Sequence, residues 1–190
     1  MCKLEMKENM NITEKKKYRT RLKHFKKDLS KYILTSRFNN STYMENHNYR
    51  QHHNNIGCIY CSPSRVSDEI PLERIMFVLE MNNDTNKIVG IGMVRNHEYI
   101  NKYMVYQNSN YNRYVYVGKH RIDRCEMTKE ENTIMQALDI LCFTGNTHMK
   151  RGQGLRQFPL SMVYNIKQIV DLVSFINDMF KKRLTENENK

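Results

Sequence analysis

The sequence predicts an α+β fold, with a small curved β-sheet or open barrel flanked by helices and preceded by a basic N-terminal helix. Residues 74–81 and 87–94 are apolar runs separated by the turn sequence NNDTN, which is typical of a hairpin. Residues 112–122 alternate between apolar and polar side chains, as a half-buried strand does. Helical periodicity precedes and follows these strands, and this order favours helices packed around one small sheet.

The N-terminal helix is expected after an N-cap candidate, Thr13, within the segment 13–34. Apolar side chains recur there at three- and four-residue steps, at Tyr18, Leu22, Phe25, Leu29 and Ile33. The opposite face is densely basic. Two compatible interpretations stay open: a helix that contacts phosphates, or a solvated face over a docked apolar stripe.

The later helices carry clearer signals. Residues 128–141 begin with Thr128 before acidic residues and then show apolar steps, which predicts a capped helix. A basic loop with glycines follows, and a last helix is expected from about Leu160 to Leu184.

The domain organisation follows from composition. Residues 1–35 are expected to hold a disordered start and the basic helix. Residues 36–56 are polar, rich in Asn and His and without a period, which predicts a linker. The nucleic-acid-binding domain is placed at 57–184, with a disordered tail at 185–190.

The net charge of the chain narrows the class of molecule that it is expected to bind. The 190-residue chain has 31 Lys and Arg against 20 Asp and Glu, a formal net charge of +11. Such an excess attracts polyanions, either nucleic acid or an anionic membrane surface. No apolar run approaches the ~18–20 residues that span a bilayer, and the charged N-terminus does not resemble a signal peptide. The odd number of scattered cysteines, five, argues against a disulfide framework, so we expect an intracellular protein, cytoplasmic or nuclear, without a membrane partner.

Enzymatic and metal-binding motifs are weak. The sequence shows no nucleophile–base pattern, paired carboxylates, P-loop or dinucleotide fingerprint, so we expect no enzyme and no cofactor. Gly90 and Gly92 lie within a strand pattern, where they allow a bulge or a close backbone approach. A cluster of two histidines and a Cys-x-x-Cys falls within residues 52–61, but it lacks the two separated ligand pairs of a zinc module, so no metal site is expected.

Tyrosines interleaved with Asn, Arg and Lys between residues 99 and 124 favour RNA. Aromatic rings stack on single-stranded bases, contributing ~1–3 kcal/mol per base. We expect about half of these tyrosines to be inward-facing strand residues. The phosphate-binding candidates are the cations of this segment and of the later glycine-containing loop: Arg113, Lys119, Arg121, Arg124, Lys150, Arg151 and Arg156.

The order of motifs over residues 54–180 resembles the YTH branch of the PUA-like superfamily, which also holds EVE and ASCH domains. The family's Trp-Cys-Ser-Thr stretch is matched by Tyr-Cys-Ser-Pro at 60–63, and its hairpin by MFVLEMNNDTNKIVGIGMV. The spacing Val-Trp-x-x-x-x-Trp is matched by Val105-Tyr106 and Tyr111. A basic loop, then a polar residue, an apolar residue and proline before the last helix, resembles 156–159.

The resemblance implies an aromatic cage around a methylated base, which is N6-methyladenosine in YTH proteins. It would make Tyr60, Tyr106 and Tyr111 the walls, with Ser62 beside them and Asn83 bonded to the base edge. All three family tryptophans are tyrosines here, and tyrosine is smaller and carries a hydroxyl that needs a partner when buried. A neutral methylated base could be sandwiched, and a cationic mRNA cap would gain cation–π attraction.

The leading hypothesis is therefore a protein that binds single-stranded RNA and recognises N6-methyladenosine or a methylated cap. Two alternatives stay open. One is a non-specific basic nucleic-acid-binding or packaging protein, such as a virion component. The other is a scaffold in an RNA-processing or translation complex, with the N-terminal helix docked onto a protein partner.

Overall fold

The computed structural model describes residues 11–188 with the exception of residue 147. Within them, the α-helices are α1 (Ile12–Asp28), α2 (Asn40–Gln51), α3 (Lys129–Phe143), α4 (Leu160–Ile166) and α5 (Leu172–Glu188). The strands are β1 (Lys31–Phe38), β2 (Cys58–Ser62), β3 (Ile75–Asn82), β4 (Lys87–Arg95), β5 (Tyr99–Ile100), β6 (Tyr114–Gly118), β7 (His120–Asp123) and β8 (Arg156–Gln157). The α+β class is confirmed.

The described strands form two sheets that do not close into a barrel. The larger has the order β7-β4-β3-β1-β8, with β1 and β3 parallel and its other pairs antiparallel. The smaller is antiparallel, with the order β2-β6-β5. The small curved sheet expected from the sequence is therefore two sheets.

Two apolar cores lie on opposite faces of the larger sheet. On one face, alternate residues of β3 such as Phe77 pack against α3 and α5, with the rings of Phe77 and Phe180 stacked at 5.5 Å. On the other face, Met76 and Val78 pack against the smaller sheet. Because both faces of β3 are covered, its sequence is an almost continuous apolar run.

The predicted hairpin and capped helix are confirmed. β3 pairs with β4, and the register shifts between Glu80 and Met81, beside Gly90, as expected for a bulge. Thr128 caps α3 in a capping box with Glu131. The α1 cap differs from the expectation, because the N-cap is Asn11, two residues before Thr13, and it forms the capping box with Glu14.

The prediction of one helix over 13–34 is wrong beyond Asp28. Leu29 has an extended backbone, and Tyr32, Ile33 and Leu34 are consecutive buried residues of β1. A helix would turn these side chains to different sides, whereas a strand between two cores buries all of them. The distant partner β3 therefore decides the structure of this segment.

The prediction of a linker at 36–56 is also wrong. This segment holds the end of β1 and the whole of α2, which begins with a capping box between Asn39 and Thr42. Asn46 is buried, and its amide nitrogen donates to the Ile59 carbonyl oxygen at 2.8 Å. Besides this polar contact, Tyr43 and Tyr49 of α2 pack against the core, and two rings do not make a clear helical period.

Three further boundaries differ. The predicted strand 112–122 divides at Lys119 into β6 and β7, which belong to different sheets. Gly118, the last residue of β6, lies against the Met93 carbonyl, where a side chain would collide. The predicted last helix divides at 167–171, where Asp171 accepts a hydrogen bond from the Ser174 amide and caps α5. Part of the expected tail is helical, since α5 reaches residue 188. The expected disorder at 1–10 and at 189–190 lies outside the described residues.

No helix in the described part of the chain is both long and apolar enough to cross a membrane.

Candidate functional site

A cavity of about 210 Å³ opens where the end of β1, the start of α2 and the loop before β8 meet. It lies beside the smaller sheet, and three of its lining residues, Phe38, Cys61 and Tyr106, belong to the apolar core there. Its lining combines aromatic, amide and cationic side chains with glycine backbone: Ser36, Arg37, Phe38, Asn39, Thr42, Cys61, Asn83, Tyr106, Tyr111, Gly152, Gln153 and Gly154.

Glycine is required in the loop that closes one side of the cavity. Gly152 and Gly154 have φ angles of +112° and +63°, in the region that side chains disfavour. A Cβ at Gly154 would also collide with the Ser62 hydroxyl oxygen, so the loop can lie against β2 only without a side chain there. The two glycines therefore shape this wall of the cavity.

Two tyrosine rings form an aromatic corner of the cavity. The rings of Tyr106 and Tyr111 lie 6.2 Å apart at 75°. The Asn112 side-chain oxygen accepts hydrogen bonds from the backbone amides of Val105 and Tyr106, each at 3.0 Å, and this fixes the segment that carries the rings. Burial raises the pKa of Tyr106 well above its ordinary value, so its phenol stays neutral.

Two buried polar atoms at the cavity have no hydrogen-bond partner among the described residues. Arg37 Nε donates to the Met149 carbonyl, but Arg37 Nη1 is unpaired. Asn83 Nδ2 donates to the Lys150 carbonyl at 3.1 Å, while Asn83 Oδ1 is unpaired. Buried polar groups are nearly always satisfied in folded proteins, so an unpaired donor and an unpaired acceptor on two cavity-lining residues make those residues candidates for contact with a ligand.

The charge around Arg37 favours an anion. Burial, and then the positive charge of Arg156, lower the pKa of Arg37. The two arginines flank Gly152, where a Cβ would lie 3.8 Å from Arg37 Cζ and 3.9 Å from Arg156 Cγ. Negative charge at this point would offset both unfavourable effects.

The predicted cage is brought together only in part. Tyr106, Tyr111 and Asn83 line the same cavity, as the YTH resemblance implies. Tyr60 does not line it: the residue has no exposed surface, and its hydroxyl donates to Glu80 Oε1 at 2.7 Å. Ser62 is likewise fully buried, beneath Gly154.

Tyr60 belongs to a buried charge network between the two sheets. Arg121 on β7 donates to both oxygens of Glu80 on β3, at 2.7–3.1 Å, and to Asp123 at 2.7 Å. The guanidinium reaches across β4 at Gly90, where any Cβ would collide with it. Burial alone would lower the pKa of Arg121, but the neighbouring Glu80 reverses this and raises it.

Two predicted phosphate-binding residues are already paired. Arg121 is committed to Glu80 and Asp123, and its side chain is only 8% exposed. Arg124 donates to Asn132, to the Ile88 carbonyl and to Asp139. Intramolecular carboxylates hold both guanidiniums, so the structure gives no support to their prediction as phosphate ligands.

The remaining predicted cations are distributed unevenly. Arg156 lies near Arg37 at Gly152 but does not line the cavity, and Lys150 and Arg151 lie in the adjoining loop. Arg113 is exposed and lies over the Tyr114 ring at 5.3 Å. Lys119 is exposed in a separate open depression.

The histidine and cysteine cluster does not converge. His52 and His53 each bond through Nδ1 to a carbonyl one turn earlier, at 2.7 Å. Cys58 and Cys61 lie in the buried strand β2, and burial raises the pKa of the Cys58 thiol to about 12. Metals bind the thiolate, and no group of three or more His, Cys, Asp or Glu among the described residues could hold an ion.

The sequence interpretation missed Arg37, the most informative residue of the cavity. A signal was present, because Arg37 is a lone cation in the strand ILTSRF, at a place where apolar side chains would be expected. The polar residues at the start of α2 were missed because they were assigned to a linker.

No protein-family model, curated protein or solved structure matches this chain. The relationship to the YTH branch thus stays a prediction from the motifs.

Proposed function

We propose that this chain is an RNA-binding protein that takes a methylated nucleobase into the cavity. One observation carries the proposal: the two tyrosine rings share the cavity with an unpaired buried donor, Arg37 Nη1, and an unpaired buried acceptor, Asn83 Oδ1. An aromatic face beside a donor and an acceptor is the combination by which proteins read an unstacked base.

The volume suits one base rather than a larger ligand. Pockets for drug-sized molecules measure roughly 300–1,000 Å³. A cavity of about 210 Å³ is smaller, and it would hold a single ring system with the sugar and phosphate at its mouth. There, the exposed Arg156 would face the phosphate, while Arg37 would contact the base.

The charges favour a neutral methylated base, such as N6-methyladenine, over a cationic cap base. A cap base would gain cation–π attraction from the tyrosines. It would also stand near two guanidiniums, and like charges in a partly buried site repel strongly. N6-methyladenine keeps one exocyclic N–H, which the Asn83 oxygen can accept.

The test compares the affinities for three matched short RNAs: unmodified, N6-methylated and capped. We expect the N6-methylated RNA to bind best. Replacing a stacking ring costs ~1–3 kcal/mol, so Tyr111→Ala should lower that affinity by about 5- to 150-fold and abolish the preference. Tyr103→Ala is the matched control, because Tyr103 is also half-buried but lies outside the cavity.

Two outcomes would contradict the proposal. If Tyr111→Ala keeps the full preference for the modified RNA, the tyrosine corner does not hold the base. If the unaltered protein binds all three RNAs and duplex DNA equally well, it is a non-specific basic nucleic-acid-binding protein instead.

A further inference from the structure

The solvent-facing side of α1 is strongly basic. The helix carries eight Lys and Arg against two acidic residues, a net charge of +6 out of +11 for the whole chain. Seven of these cations are exposed, and together we call them the basic helix face: Lys15, Lys16, Lys17, Arg19, Arg21, Lys23 and Lys27. We propose that the basic helix face is a second RNA-binding surface, which holds the sugar–phosphate backbone outside the cavity.

The helix is docked on the domain. The Tyr164 ring of α4 contacts the rings of Phe25 and Tyr18, at 5.4 and 5.8 Å. Lys26, the eighth cation, pairs with Glu69 at 2.8 Å. The half-buried side of α1 is thus occupied by the protein itself, and the basic helix face has a fixed position relative to the fold.

The charge pattern is unfavourable for the helix alone. Residues 15–17 place three lysines near the N-terminus, where the helix dipole disfavours positive charge. Lys15, Arg19, Lys23 and Lys27 follow one another at four-residue steps, and like charges at this spacing destabilise a helix. A bound polyanion would relieve both effects, so the pattern fits a partner better than it fits helix stability.

The geometry fits a phosphate backbone. Four-residue steps place successive cations of this row about 6 Å apart along the axis, over a total of about 18 Å. A membrane surface fits less well, because an interfacial helix inserts an apolar face, and the half-buried side of α1 lies against α4.

The surface and the cavity lie at different ends of β1. α1 ends at Asp28, shortly before β1 begins, whereas the cavity opens at Arg37 and Phe38, where β1 ends. A strand of eight residues spans roughly 23 Å between its terminal residues. An RNA with one base in the cavity must therefore extend well beyond one nucleotide to reach the helix. This part of the inference rests on the proposed function.

The experiment compares two variants with the same change in net charge. The first carries Lys15→Gln, Arg19→Gln, Lys23→Gln and Lys27→Gln; glutamine preserves helix propensity. The control carries four substitutions at exposed lysines elsewhere: Lys87→Gln, Lys129→Gln, Lys181→Gln and Lys182→Gln. Dissociation constants are measured over a range of salt concentrations for a 20-nucleotide RNA with one N6-methyladenosine, its unmodified counterpart, and an N6-methylated trinucleotide.

We expect the first variant to bind both 20-nucleotide RNAs at least tenfold more weakly. Each lost phosphate contact lowers the slope of log affinity against log salt by about 0.7, so four lower it by about 3. Affinity for the trinucleotide and the preference for the modified RNA should not change, and the control should resemble the unaltered protein.

Equal weakening in the two variants would overturn the inference, since net charge alone would then account for the binding. So would competition by an acidic polypeptide at concentrations that match RNA, which would indicate a protein-binding surface. The protein could show no preference for modified RNA while the first variant still lowers the slope of log affinity against log salt. In that case the proposed function fails and this inference stands.

Discussion

Arg121 and Arg37 are both partly buried, but they differ in how many hydrogen-bond and ion-pair partners the protein provides for their guanidinium groups. Arg121 has Glu80 and Asp123 as partners, and its charge is fully compensated within the fold. Arg37 has one backbone carbonyl, a neighbouring arginine and an unpaired nitrogen at a cavity. The first arginine joins the carboxylates of two strands of the larger sheet, whereas the second has no carboxylate partner among the described residues.

Breaking the buried network should have the largest effect. Removing one partner of a buried ion pair costs ~3–5 kcal/mol, because the other charge is left uncompensated. We expect Arg121→Met to lower the free energy of unfolding by about this amount in urea denaturation. Arg113→Met is the control, since Arg113 is exposed, and it should change the free energy by less than about 0.5 kcal/mol.

The double variant Glu80→Gln/Arg121→Met sharpens this result, particularly if the single variant does not fold. It removes both charges, so it should lose clearly less stability than the two single changes added together. If the stability losses of the two single variants simply add up in the double variant, the two side chains act independently, which would contradict the distances between them.

Arg37→Gln should give the opposite pattern. Hydrogen bonds to charged groups contribute ~1.5–3 kcal/mol, so RNA affinity should fall about ten- to 150-fold. The free energy of unfolding should change by no more than about 1 kcal/mol, because only the bond to the Met149 carbonyl is lost within the fold. A large loss of stability with little loss of RNA binding would place Arg37 in the same class as Arg121.

A third arginine gives the smallest expected effect. Arg183 on α5 forms a bidentate ion pair with Glu131 on α3, with hydrogen bonds of 2.9 and 2.7 Å, but the Arg183 side chain is 23% exposed. The hydrogen bonds from Arg183 lower the pKa of Glu131 below its ordinary value of 4.5. Because the pKa of Glu131 is lower in the folded state than in the unfolded state, the ion pair stabilises the fold above about pH 4.5. This stabilisation is lost as the pH falls from 4.5 through the lower pKa of the folded state.

Glu131→Gln should therefore cost about 1 kcal/mol or less at pH 7, and thermal denaturation should show a weaker pH dependence below about pH 4.5 than in the unaltered protein. Glutamine can still form the capping box with Thr128, so the variant isolates the charge. An unchanged pH profile would show that Glu131 does not contribute to acid sensitivity.

Local patterns predicted the parts of the fold that depend on local interactions. The β3–β4 hairpin and the cap of α3 were predicted because turn and capping residues lie next to apolar runs. The boundary between α1 and β1 was not predicted. Tyr32, Ile33 and Leu34 are compatible with a helix or a strand, and the pairing with β3 makes them a strand. The α2 helix was missed because its anchor, Asn46, is polar.

The family resemblance named some of the residues that line the cavity, but it could not show how side chains pair. Tyr106, Tyr111 and Asn83 line one cavity, as their motif positions imply. No sequence pattern shows that Tyr60 lies over Gly92 or that Arg121 crosses Gly90 to reach Glu80. Likewise, a cation pattern cannot distinguish an arginine with an internal carboxylate from one without.

The parallel pairing of β1 with β3 also bears on how the protein acquires its site. Their register joins Lys31 to Ile75 and Phe38 to Asn82, across more than forty residues of intervening chain. Such long-range pairing forms slowly, and the cavity also needs a loop more than one hundred residues beyond Arg37. No short segment thus contains the whole cavity, and any ligand bound there would hold together parts of the chain that are synthesised far apart in time.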